Sequence, residues 1–395
     1  MQADSQDVTR IVMDVTTSVH YIGRPAVGIV RVEREIIRAL LRRVATVDFV
    51  RYIPEKQKFV AVDAADIAEV IRDAEPSPDT RARIGQEPDY QWQDNATLIS
   101  AGLVWDHDFL QNVYNLKKTS RLKLLQIAYD VIPILMPEYC VPGMVRLFPR
   151  FVLNMLWTAD AIFGISDSTN LTIRHYAEQI GVECPELRRI ELGCDIGATA
   201  GPDVTQIANL KPNDFVLYVS TIEPRKNHQL LYQVWRKFAD EHPDDSTKLV
   251  FVGAQGWNMS DFVAILQQDV RLTPHRIVIL SNLADEQLSW LYDHCKFTLY
   301  PSLFEGWGLP VTESLARGKM CITSSTSSMP EAAQDCALLL DPLEFSQWYK
   351  AITTFILDHE ALAKAEQRVA ERFEVKPWQP LMNGFVDQVL SLANG

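Results

Sequence analysis

The chain has 395 residues, of which 38 are basic and 51 acidic, and its formal net charge is −13. This acidic balance argues against nucleic-acid binding, which depends on a basic surface. Hydrophobic residues make up 47% and charged residues 23%, so a globular chain is expected, and its length favours two domains.

The first half of the chain predicts short strands that alternate with helices. A first strand is expected at residues 10–16 and a long helix at residues 30–43. Further strands are indicated by short β-branched runs at 47–53, 59–63, 96–102, 123–130 and 161–166. Residues 75–90 are polar and contain prolines, so they predict a surface excursion.

A stretch rich in Gly, Pro, Ala and Asp at residues 193–213 interrupts this alternation and predicts the linker between two domains. The alternation then resumes, with strands expected at 215–220, 248–253, 276–282, 296–302, 320–325 and 337–342. Because the strands are rich in Val, Ile and Leu on both faces, they favour parallel sheets covered by helices on each side. We therefore expect an α/β protein of two doubly wound domains, with ligands bound in a cleft at the carboxyl ends of the strands.

The N-terminus and the cysteines favour a cytoplasmic protein. Residues 1–10 are polar and lack the charged-then-apolar order of a signal peptide, and no apolar run reaches the ~20 residues needed to cross a bilayer. The cysteines have no close paired spacing, which predicts reduced, mostly buried thiols at Cys140, Cys184, Cys194, Cys295, Cys321 and Cys336. Neither a disulfide framework nor a zinc site is expected.

The strongest local motif is LFEGWGLPVTESLA at residues 303–316. Its glycines permit a tight turn, and its proline stands where a first helical turn would begin. The N–H groups at Gly308 and Leu309 would then point out of a helix N-terminus, which suits a diphosphate. Glu313, one turn into the helix, is placed to accept hydrogen bonds from a ribose diol. In the structural alternative, Glu305 and Glu313 only stabilise the positive end of the helix.

Arg225 and Lys226 form a second motif, at the end of the strand predicted at 215–220. Two adjacent cations are usually solvated surface, but these follow a buried strand at the edge where ligands of α/β sheets bind. When a sugar leaves a nucleoside diphosphate, negative charge builds on the β-phosphate oxygens. Arg and Lys side chains stabilise that charge without a metal ion, so the pair predicts a diphosphate site.

The run EPRKN at 223–227, together with FEGWGLPVTE at 304–313, resembles the retaining GT-B glycosyltransferases of family 4. The resemblance covers most of the C-terminal half. It implies two Rossmann-like domains, a nucleotide-sugar donor held mainly by the second, and no obligatory metal or other cofactor. By position, Arg225 and Lys226 would bind the donor diphosphate and Glu305 the hydroxyls of the donor sugar. The other donor-site residues implied are Gly306, Trp307, Gly308, Leu309 and Glu313.

The same resemblance implies a division of labour between domains. Residues 1–197 would bind the acceptor and residues 198–376 the nucleotide sugar, while residues 377–395 would form a helix that crosses back to the N-terminal domain. Such families commonly have glycine just before the Glu-Pro-Arg-Lys run, where this chain has Ser220. That departure predicts a narrower pocket beside the phosphates.

The N-terminal half has a looser similarity to bacterial surface-polysaccharide mannosyltransferases. GIVRVE at 28–33 is similar to the opening of their first long helix, which implies that Gly28 lets the backbone approach the donor phosphate. An ordinary glycine in a βα turn is the alternative. The run IAYDVIPILMPEYC also resembles that group and implies a position in the catalytic site for Asp130. Many relatives have histidine immediately before this acid, whereas this chain has Tyr129.

Acceptor-side residues are expected in the same half, at His20, Tyr21, Trp105, His107 and Ser166. Ser166 resembles a family serine at the start of a helix near the acceptor, and an ordinary helix N-cap is its alternative. A lone histidine such as His20 is more often structural or on the surface. Asp106-His107-Asp108 is also a D-x-D pattern, in which two carboxylates hold a divalent ion on the donor phosphates in another glycosyltransferase fold.

Two segments favour contact with a membrane despite the acidic net charge. Residues 117–123 carry a basic cluster, and residues 142–157 interleave Arg146 and Arg150 with large apolar side chains. These segments suit anionic lipid headgroups, and a core-packed helix with a solvated basic face is the alternative. The expected localisation is cytoplasmic. Attachment to the cytoplasmic face of the inner membrane is a second possibility that these two segments raise.

The expected function is transfer of a hexose from a nucleoside-diphosphate sugar, with mannose from GDP-mannose as the first choice. The acceptor would be a bacterial polysaccharide or a lipid-linked oligosaccharide. The family resemblance implies a retaining, front-face reaction without an enzymic nucleophile or metal. Two alternatives stay open, a metal-dependent D-x-D transferase that uses a UDP-sugar and a GT-B protein that binds nucleotide or glycan without catalysis.

Overall fold

The computed structural model describes residues 10–24, 28–72, 74–194 and 209–394. The chain divides into two compact units. The first comprises Met1–Leu135, Pro142–Gly193 and Pro377–Gly395, and the second comprises Met136–Val141 and Cys194–Lys376. Most of the predicted linker at 193–213, the expected boundary at residue 197 and the first nine residues lie outside the described residues.

The first unit contains a sheet of seven strands within the described ranges. In chain order they are β1 (Ile11–Asp14), β2 (Val47–Ile53), β3 (Lys58–Val62), β4 (Thr97–Ser100), β5 (Lys123–Ala128), β6 (Ala161–Gly164) and β7 (Glu186–Arg189). The sheet order is β3-β2-β1-β4-β5-β6-β7. The prediction missed β7, because its sequence ELRR lies at the sheet edge and has no apolar run.

One part of the parallel-sheet prediction is wrong. Strand β3 pairs antiparallel with β2, with Phe49 opposite Val62 and Ile53 opposite Lys58. Only a short turn containing Pro54–Lys56 connects the two strands. Because a parallel connection needs a crossover of a dozen or more residues, this turn can only close a hairpin. The other strand pairs of this sheet are parallel.

Helices cover both faces of this sheet. They are α1 (Thr16–His20), α2 (Ile29–Arg43), α3 (Ala64–Val70), α4 (Pro78–Arg83), α5 (Phe109–Lys117), α6 (Ile132–Leu135), α7 (Pro142–Thr158) and α8 (Asp167–Ile180). On one face, Val12 and Leu98 of the strands pack with Phe109 of α5 and Val152 of α7. Helix α4 lies within the predicted excursion at 75–90, and the Tyr90 N–H binds the Phe59 carbonyl 2.9 Å away, so the end of the excursion is tied to β3.

The second unit contains a sheet of six described strands, all parallel. They are β8 (Phe215–Val219), β9 (Lys248–Val252), β10 (Ile277–Leu280), β11 (Thr298–Tyr300), β12 (Cys321–Ser324) and β13 (Leu338–Leu340). Their order is β10-β9-β8-β11-β12-β13, which is the strand order of the Rossmann fold. The chain reverses its direction across the sheet between β8 and β11, and ligands of such sheets bind at this switch point.

The second unit's helices complete its core. They are α9 (His228–Glu241), α10 (Ser260–Gln268), α11 (Asp285–His294), α12 (Leu309–Ala316), α13 (Met329–Ala333), α14 (Phe345–Leu357) and α15 (His359–Arg372). Trp235 of α9 and Trp348 of α14 are fully buried in this core.

The last helix, α16 (Trp378–Asn394), belongs to the first unit and packs against α2. The ring of Phe385 lies 5.0 Å from that of Phe163, measured between centroids. No disulfide joins any of the six cysteines, all of which are described, and five of them are buried. None of the helices in the described ranges is long and apolar enough to span a membrane.

Candidate functional site

The two predicted motifs follow neighbouring strands. Strand β8 ends before a loop that carries Arg225 and Lys226, and β11 ends before the loop that leads to α12. Because β8 and β11 are adjacent and parallel, both loops leave the same edge of the sheet at the switch point. The Leu303 N–H binds the Arg225 carbonyl 2.9 Å away, which joins the two loops through their backbones.

Three charged side chains meet where these loops join. Glu305 Oε1 lies 2.8 Å from Arg225 Nη1 and 2.5 Å from Lys226 Nζ. The two cationic side chains are each 12% exposed and the Glu305 side chain is 10% exposed, so the cluster is nearly buried but reachable. We refer to these three residues as the cationic cluster.

The cationic cluster fixes the charge of Glu305. Burial by itself raises the pKa of this carboxyl, but the charges of Arg225 and Lys226 outweigh burial and hold its pKa at about 2. Burial lowers the pKa of Lys226, and Glu305 opposes that effect. Glu305 is therefore an ionised acceptor at neutral pH and has no proton to donate to a leaving group.

Four further side chains hold the cationic cluster, and the sequence analysis did not select them. Glu223 Oε1 accepts a hydrogen bond from Arg225 Nη2 at 2.6 Å, and Tyr300 OH lies 3.1 Å from Lys226 Nζ. The hydroxyl of Tyr218 donates to the Lys226 carbonyl at 2.6 Å, and Asn227 Nδ2 donates to the Pro342 carbonyl at 2.9 Å. Their positions in the sequence, next to the two cations or in a strand that ends at the site, were the feature that could have identified them.

The turn before α12 needs its second glycine. Gly308 has φ +122°, and a Cβ there would lie 2.7 Å from Cε of Met329. Two serines brace the same turn: Ser327 Oγ accepts from the Glu305 N–H at 2.9 Å, and Ser328 Oγ donates to the Trp307 carbonyl at 2.6 Å. Leu309 begins α12, so its N–H is one of those that have no partner within the helix, and an anion site at this N-terminus stays a prediction.

Glu313 lies one turn into α12 and is half-buried. Its Oε2 accepts a hydrogen bond from the buried Tyr292 hydroxyl at 3.0 Å. Burial and the Glu313 charge raise the pKa of that phenol, so it stays a donor and orients the carboxylate. Gly306 and Trp307 belong to the same turn, and Trp307 packs on the core of the unit.

In the first unit, Gly28 occupies the N-cap position of α2 with φ +53° and is exposed. Helix α1 precedes it, so the stated alternative of a glycine in a βα turn is wrong, and its proposed role at the donor phosphate stays a prediction. His20 is the exposed last residue of α1. Its ring centroid lies 5.3 Å from that of Tyr21, and the Arg24 guanidinium lies 5.4 Å from the Tyr21 ring. These residues lie along one segment that leads from α1 toward α2.

Asp130 and Ser166 make local capping contacts. Asp130 Oδ1 accepts from the Ile132 N–H at 2.9 Å, and Ser166 Oγ accepts from the Thr169 N–H at 2.9 Å as the N-cap of α8. Ser166 is fully buried, which favours the structural alternative stated for it. Tyr129, in the position of the family histidine, donates its hydroxyl proton to the Ala101 carbonyl at 2.6 Å.

The D-x-D residues make other contacts. Asp108 Oδ1 lies 3.0 Å from Arg150 Nη2, and Asp106 Oδ1 lies 3.3 Å from His107 Nε2. Asp108 occupies the N-cap position of α5 without a side-chain capping bond. Trp105 packs near Phe148, with 6.1 Å between ring centroids. Across the described ranges, no group of three or more His, Cys, Asp or Glu residues is arranged to hold a metal ion.

The first unit contains a buried pair of carboxyls that the sequence did not predict. Asp14 ends β1 and Glu33 lies on α2, and both are fully buried. The Ser18 N–H donates to Glu33 Oε1 at 2.6 Å, and Thr16 Oγ1 donates to Asp14 Oδ1 at 2.5 Å. Burial, with repulsion from Asp14, raises the pKa of Glu33 to about 8. Glu33 therefore carries a proton at neutral pH.

Two Rossmann-like units with these loops at the switch point of the second define an α/β protein of the GT-B class, as the sequence predicted. The model of the family described as glycosyl transferases group 1 matches residues 204–372. HepE of Anabaena, solved in complex with UDP and glucose, shares the fold with a TM-score of 0.65. The match covers 97% of this chain and 99% of HepE at 17% identity.

Two curated mannosyltransferases are similar to this chain. Serotype-specific mannosyltransferase WbdA of Escherichia coli is 27% identical over 269 residues, which are 64% of this chain and 31% of WbdA. O-antigen chain mannosyltransferase B of Escherichia coli is 27% identical over 224 residues, which are 54% of this chain and 56% of that protein. The matched region thus spans less than two thirds of the length of either relative.

Proposed function

We propose that this chain is a glycosyltransferase that moves a hexose from a nucleoside-diphosphate sugar to a polysaccharide or lipid-linked oligosaccharide. The observation that carries the proposal is the cationic cluster. Two cations and one carboxylate from separate loops converge at the switch point, beside the N-terminus of α12. Diphosphate and sugar need these two types of partner, cations for the phosphates and an ionised acceptor for the hydroxyls.

In the proposed reaction, Arg225 and Lys226 bind the diphosphate from one side and the N–H groups at the start of α12 bind it from the other. As the bond between the sugar and the β-phosphate breaks, negative charge grows on the phosphate oxygens. The two cations stabilise that charge most strongly in the transition state, because they are held in place before the reaction and are little exposed to water.

Glu305 positions the donor sugar in this proposal. Its pKa of about 2 makes it a hydrogen-bond acceptor for sugar hydroxyls and excludes it as a general acid near neutral pH. Since two cations neutralise it, it is also a poor nucleophile. We therefore propose front-face attack with retention, in which the leaving phosphate takes the proton of the incoming hydroxyl, and we propose that no metal is required.

The similar proteins point to two different donors. The mannosyltransferase relatives favour mannose, and we propose GDP-mannose as the donor. The HepE complex contains UDP and glucose, so UDP-glucose is the first competitor to be tested. Glu313, oriented by Tyr292, is proposed to bind the ribose of either nucleotide.

The proposal is tested by release of nucleoside diphosphate from a panel of nucleotide sugars that includes GDP-mannose and UDP-glucose. Lys226→Ala should lower turnover by at least about 100-fold, since a charge-stabilising group worth several kcal/mol is lost. Lys237→Ala is the matched control, because Lys237 is an exposed lysine on α9 that pairs with Glu241. Lys237→Ala should keep the thermal stability of the parent, whereas Lys226→Ala removes a buried partner of Glu305 and should unfold at a lower temperature. Turnover is therefore compared well below both unfolding transitions.

Near-normal turnover by Lys226→Ala would remove the cationic cluster from the reaction. Turnover should also survive EDTA, and strict dependence on Mg²⁺ or Mn²⁺ would instead favour the D-x-D alternative. A protein that is stabilised by a nucleotide but releases none from any sugar would be the binding protein of the second alternative.

A further inference from the structure

Ser220 lies at the same edge of the sheet as the cationic cluster. It directly follows β8 and precedes Arg225 by five positions. Its N–H binds the Val252 carbonyl 2.9 Å away, which fixes its backbone, and its side chain is half-buried, so its hydroxyl can reach a ligand. Glycine is common at this position in the families that the EPRKN run resembles.

His228 is the buried neighbour of this hydroxyl. Its Nε2 lies 3.4 Å from Ser220 Oγ, and the residue is fully buried at the start of α9. Its ring contacts those of Tyr218 and Phe251, with centroids 4.6 Å and 4.9 Å away. Burial, together with the charge of Lys226, lowers the pKa of His228 to about 3, so the imidazole is neutral.

The surroundings of the ring select its tautomer. Within the described residues, Nδ1 is buried and has no hydrogen-bond partner. A buried N–H without an acceptor is rarer in proteins than a buried acceptor without a donor, so the proton belongs on Nε2. The Nε2–H group then points toward Ser220 Oγ, which acts as acceptor. The Ser220 hydroxyl also interacts with the Tyr218 hydroxyl, which itself donates to the Lys226 carbonyl. Because its oxygen accepts from histidine, Ser220 turns its own proton either to Tyr218 or to a bound ligand.

We propose that the Ser220 hydroxyl, with its proton directed away from His228, donates a hydrogen bond to the diphosphate of the nucleotide sugar beside Arg225 and Lys226. Ser220 is then a third diphosphate ligand, and His228 is a positioning residue that acts through it. The packing supports one connected unit, because the Tyr218 ring contacts the His228 ring at an interplanar angle of 38° and its hydroxyl donates to the Lys226 carbonyl at 2.6 Å. This inference rests on the proposed function.

The test is calorimetric titration of the full chain with GDP and UDP, with guanosine as the probe that lacks phosphate. Ser220→Ala should weaken binding of the preferred diphosphate about tenfold, the usual effect of losing one hydrogen bond to a charged group, and leave guanosine unchanged. Thr221→Ala is the matched control, because it removes the adjacent, exposed hydroxyl and should bind as the parent does.

Two variants of His228 separate positioning from structure. His228→Phe keeps a ring in contact with Tyr218 and Phe251 but loses the N–H, and His228→Gln keeps an N–H donor. We expect weaker diphosphate binding for the first and recovery for the second. The double variant Ser220→Ala/His228→Phe should bind no more weakly than Ser220→Ala alone, whereas a purely structural histidine would add its own loss.

The outcomes distinguish this inference from the proposed function. If Ser220→Ala binds diphosphate like the parent while Lys226→Ala does not, the Ser220 inference is wrong and the proposed function stands. If the parent binds neither nucleotide, both fail. Should His228→Phe not fold, the comparison of Ser220→Ala with Thr221→Ala still decides whether the hydroxyl is a ligand.

Discussion

At the scale of single residues, the cationic cluster shows how neighbours determine what a side chain can do. Glu305 is nearly buried, a position that by itself favours a protonated carboxyl, yet Arg225 and Lys226 keep it ionised. Glu33 is fully buried, and burial together with the charge of Asp14 outweighs the opposing charge of Arg34, so its carboxyl is protonated at neutral pH. The same residue type therefore acts as an acceptor in one unit and as a neutral group in the other.

Glu313→Ala should raise the KM for the donor by about tenfold or more with little effect on kcat, because the ribose contact is the same in ground and transition states. Tyr292→Phe, which removes only the hydroxyl that orients Glu313, should cause a smaller rise. A donor with a dideoxyribose should show little further loss with Glu313→Ala. An unchanged KM with the normal donor would remove Glu313 from the ribose site.

Gly308→Ala should destabilise the protein by about 1–3 kcal/mol, because φ +122° is strained for any residue with a Cβ. The added Cβ would also meet Met329 Cε, so the turn that leads to α12 must shift. We expect lower thermal stability and weaker diphosphate binding. Gly384→Ala in α16 is the control, since a Cβ there meets nothing within 4 Å, and equal stability of the two variants would contradict the argument.

At the scale of elements, the two segments expected to contact a membrane, residues 117–123 and helix α7, differ in how far their side chains are already bound within the protein. In the basic cluster, Lys117 pairs with Asp160 at 2.6 Å and Lys123 Nζ donates to the Leu392 carbonyl at 2.9 Å, so these charges are used within the first unit. Helix α7 instead exposes Arg146, Leu147 and Trp157, and Trp157 is 61% exposed. We therefore base the proposed membrane contact on α7 alone.

The double variant Arg146→Ala/Trp157→Ala should reduce sedimentation with anionic vesicles of phosphatidylglycerol and phosphatidylethanolamine. The expected loss in affinity is about fivefold or more, because one surface cation contributes ~1 kcal/mol and the tryptophan adds apolar contact. Val270→Ser in the second unit, which changes another exposed apolar side chain, should bind like the parent. Equal binding of all three proteins to anionic vesicles would contradict a role for α7.

At the scale of the whole molecule, the buried pair Asp14 and Glu33 links stability to pH. The pKa of Glu33 is raised to about 8 in the folded chain, against about 4.3 for an unperturbed glutamate. Between these values the unfolded chain releases a proton that the folded chain keeps. The contribution of Glu33 to stability is therefore full below the unfolded pKa and is lost as pH rises through the folded one.

Glu33→Gln should remove the loss of stability at high pH, because the amide cannot ionise. Its oxygen can still accept a hydrogen bond from the Ser18 N–H. Urea unfolding at pH 5, 7 and 9 should show the variant gaining on the parent by about 1 kcal/mol or more as pH rises. The exposed Glu55→Gln is the control, and its curve should follow the parent's. Parallel curves for parent and Glu33→Gln would show that Glu33 is not protonated in the folded state.

How far the sequence predicts this protein depends on the range of the interactions involved. Alternating apolar runs and helical segments predicted the α/β class and most strands, because burial of both faces of a strand is written into consecutive residues. The same pattern did not predict the antiparallel pairing of β3, which depends on the length of one turn. It also did not predict β7, an edge strand with no apolar run.

The sequence alone determined the residue types of the candidate site, since Arg225, Lys226, Glu305 and the glycine turn are recognisable as neighbours in short motifs. Only the tertiary structure decided that these motifs meet, because residues 79 positions apart come within 2.5 Å only when β8 and β11 pair side by side. The tertiary structure also determines which groups Tyr300, Tyr292, His228 and Glu33 contact. Charge and hydrogen bonding act through space, so the state of each group was fixed by residues distant in the chain.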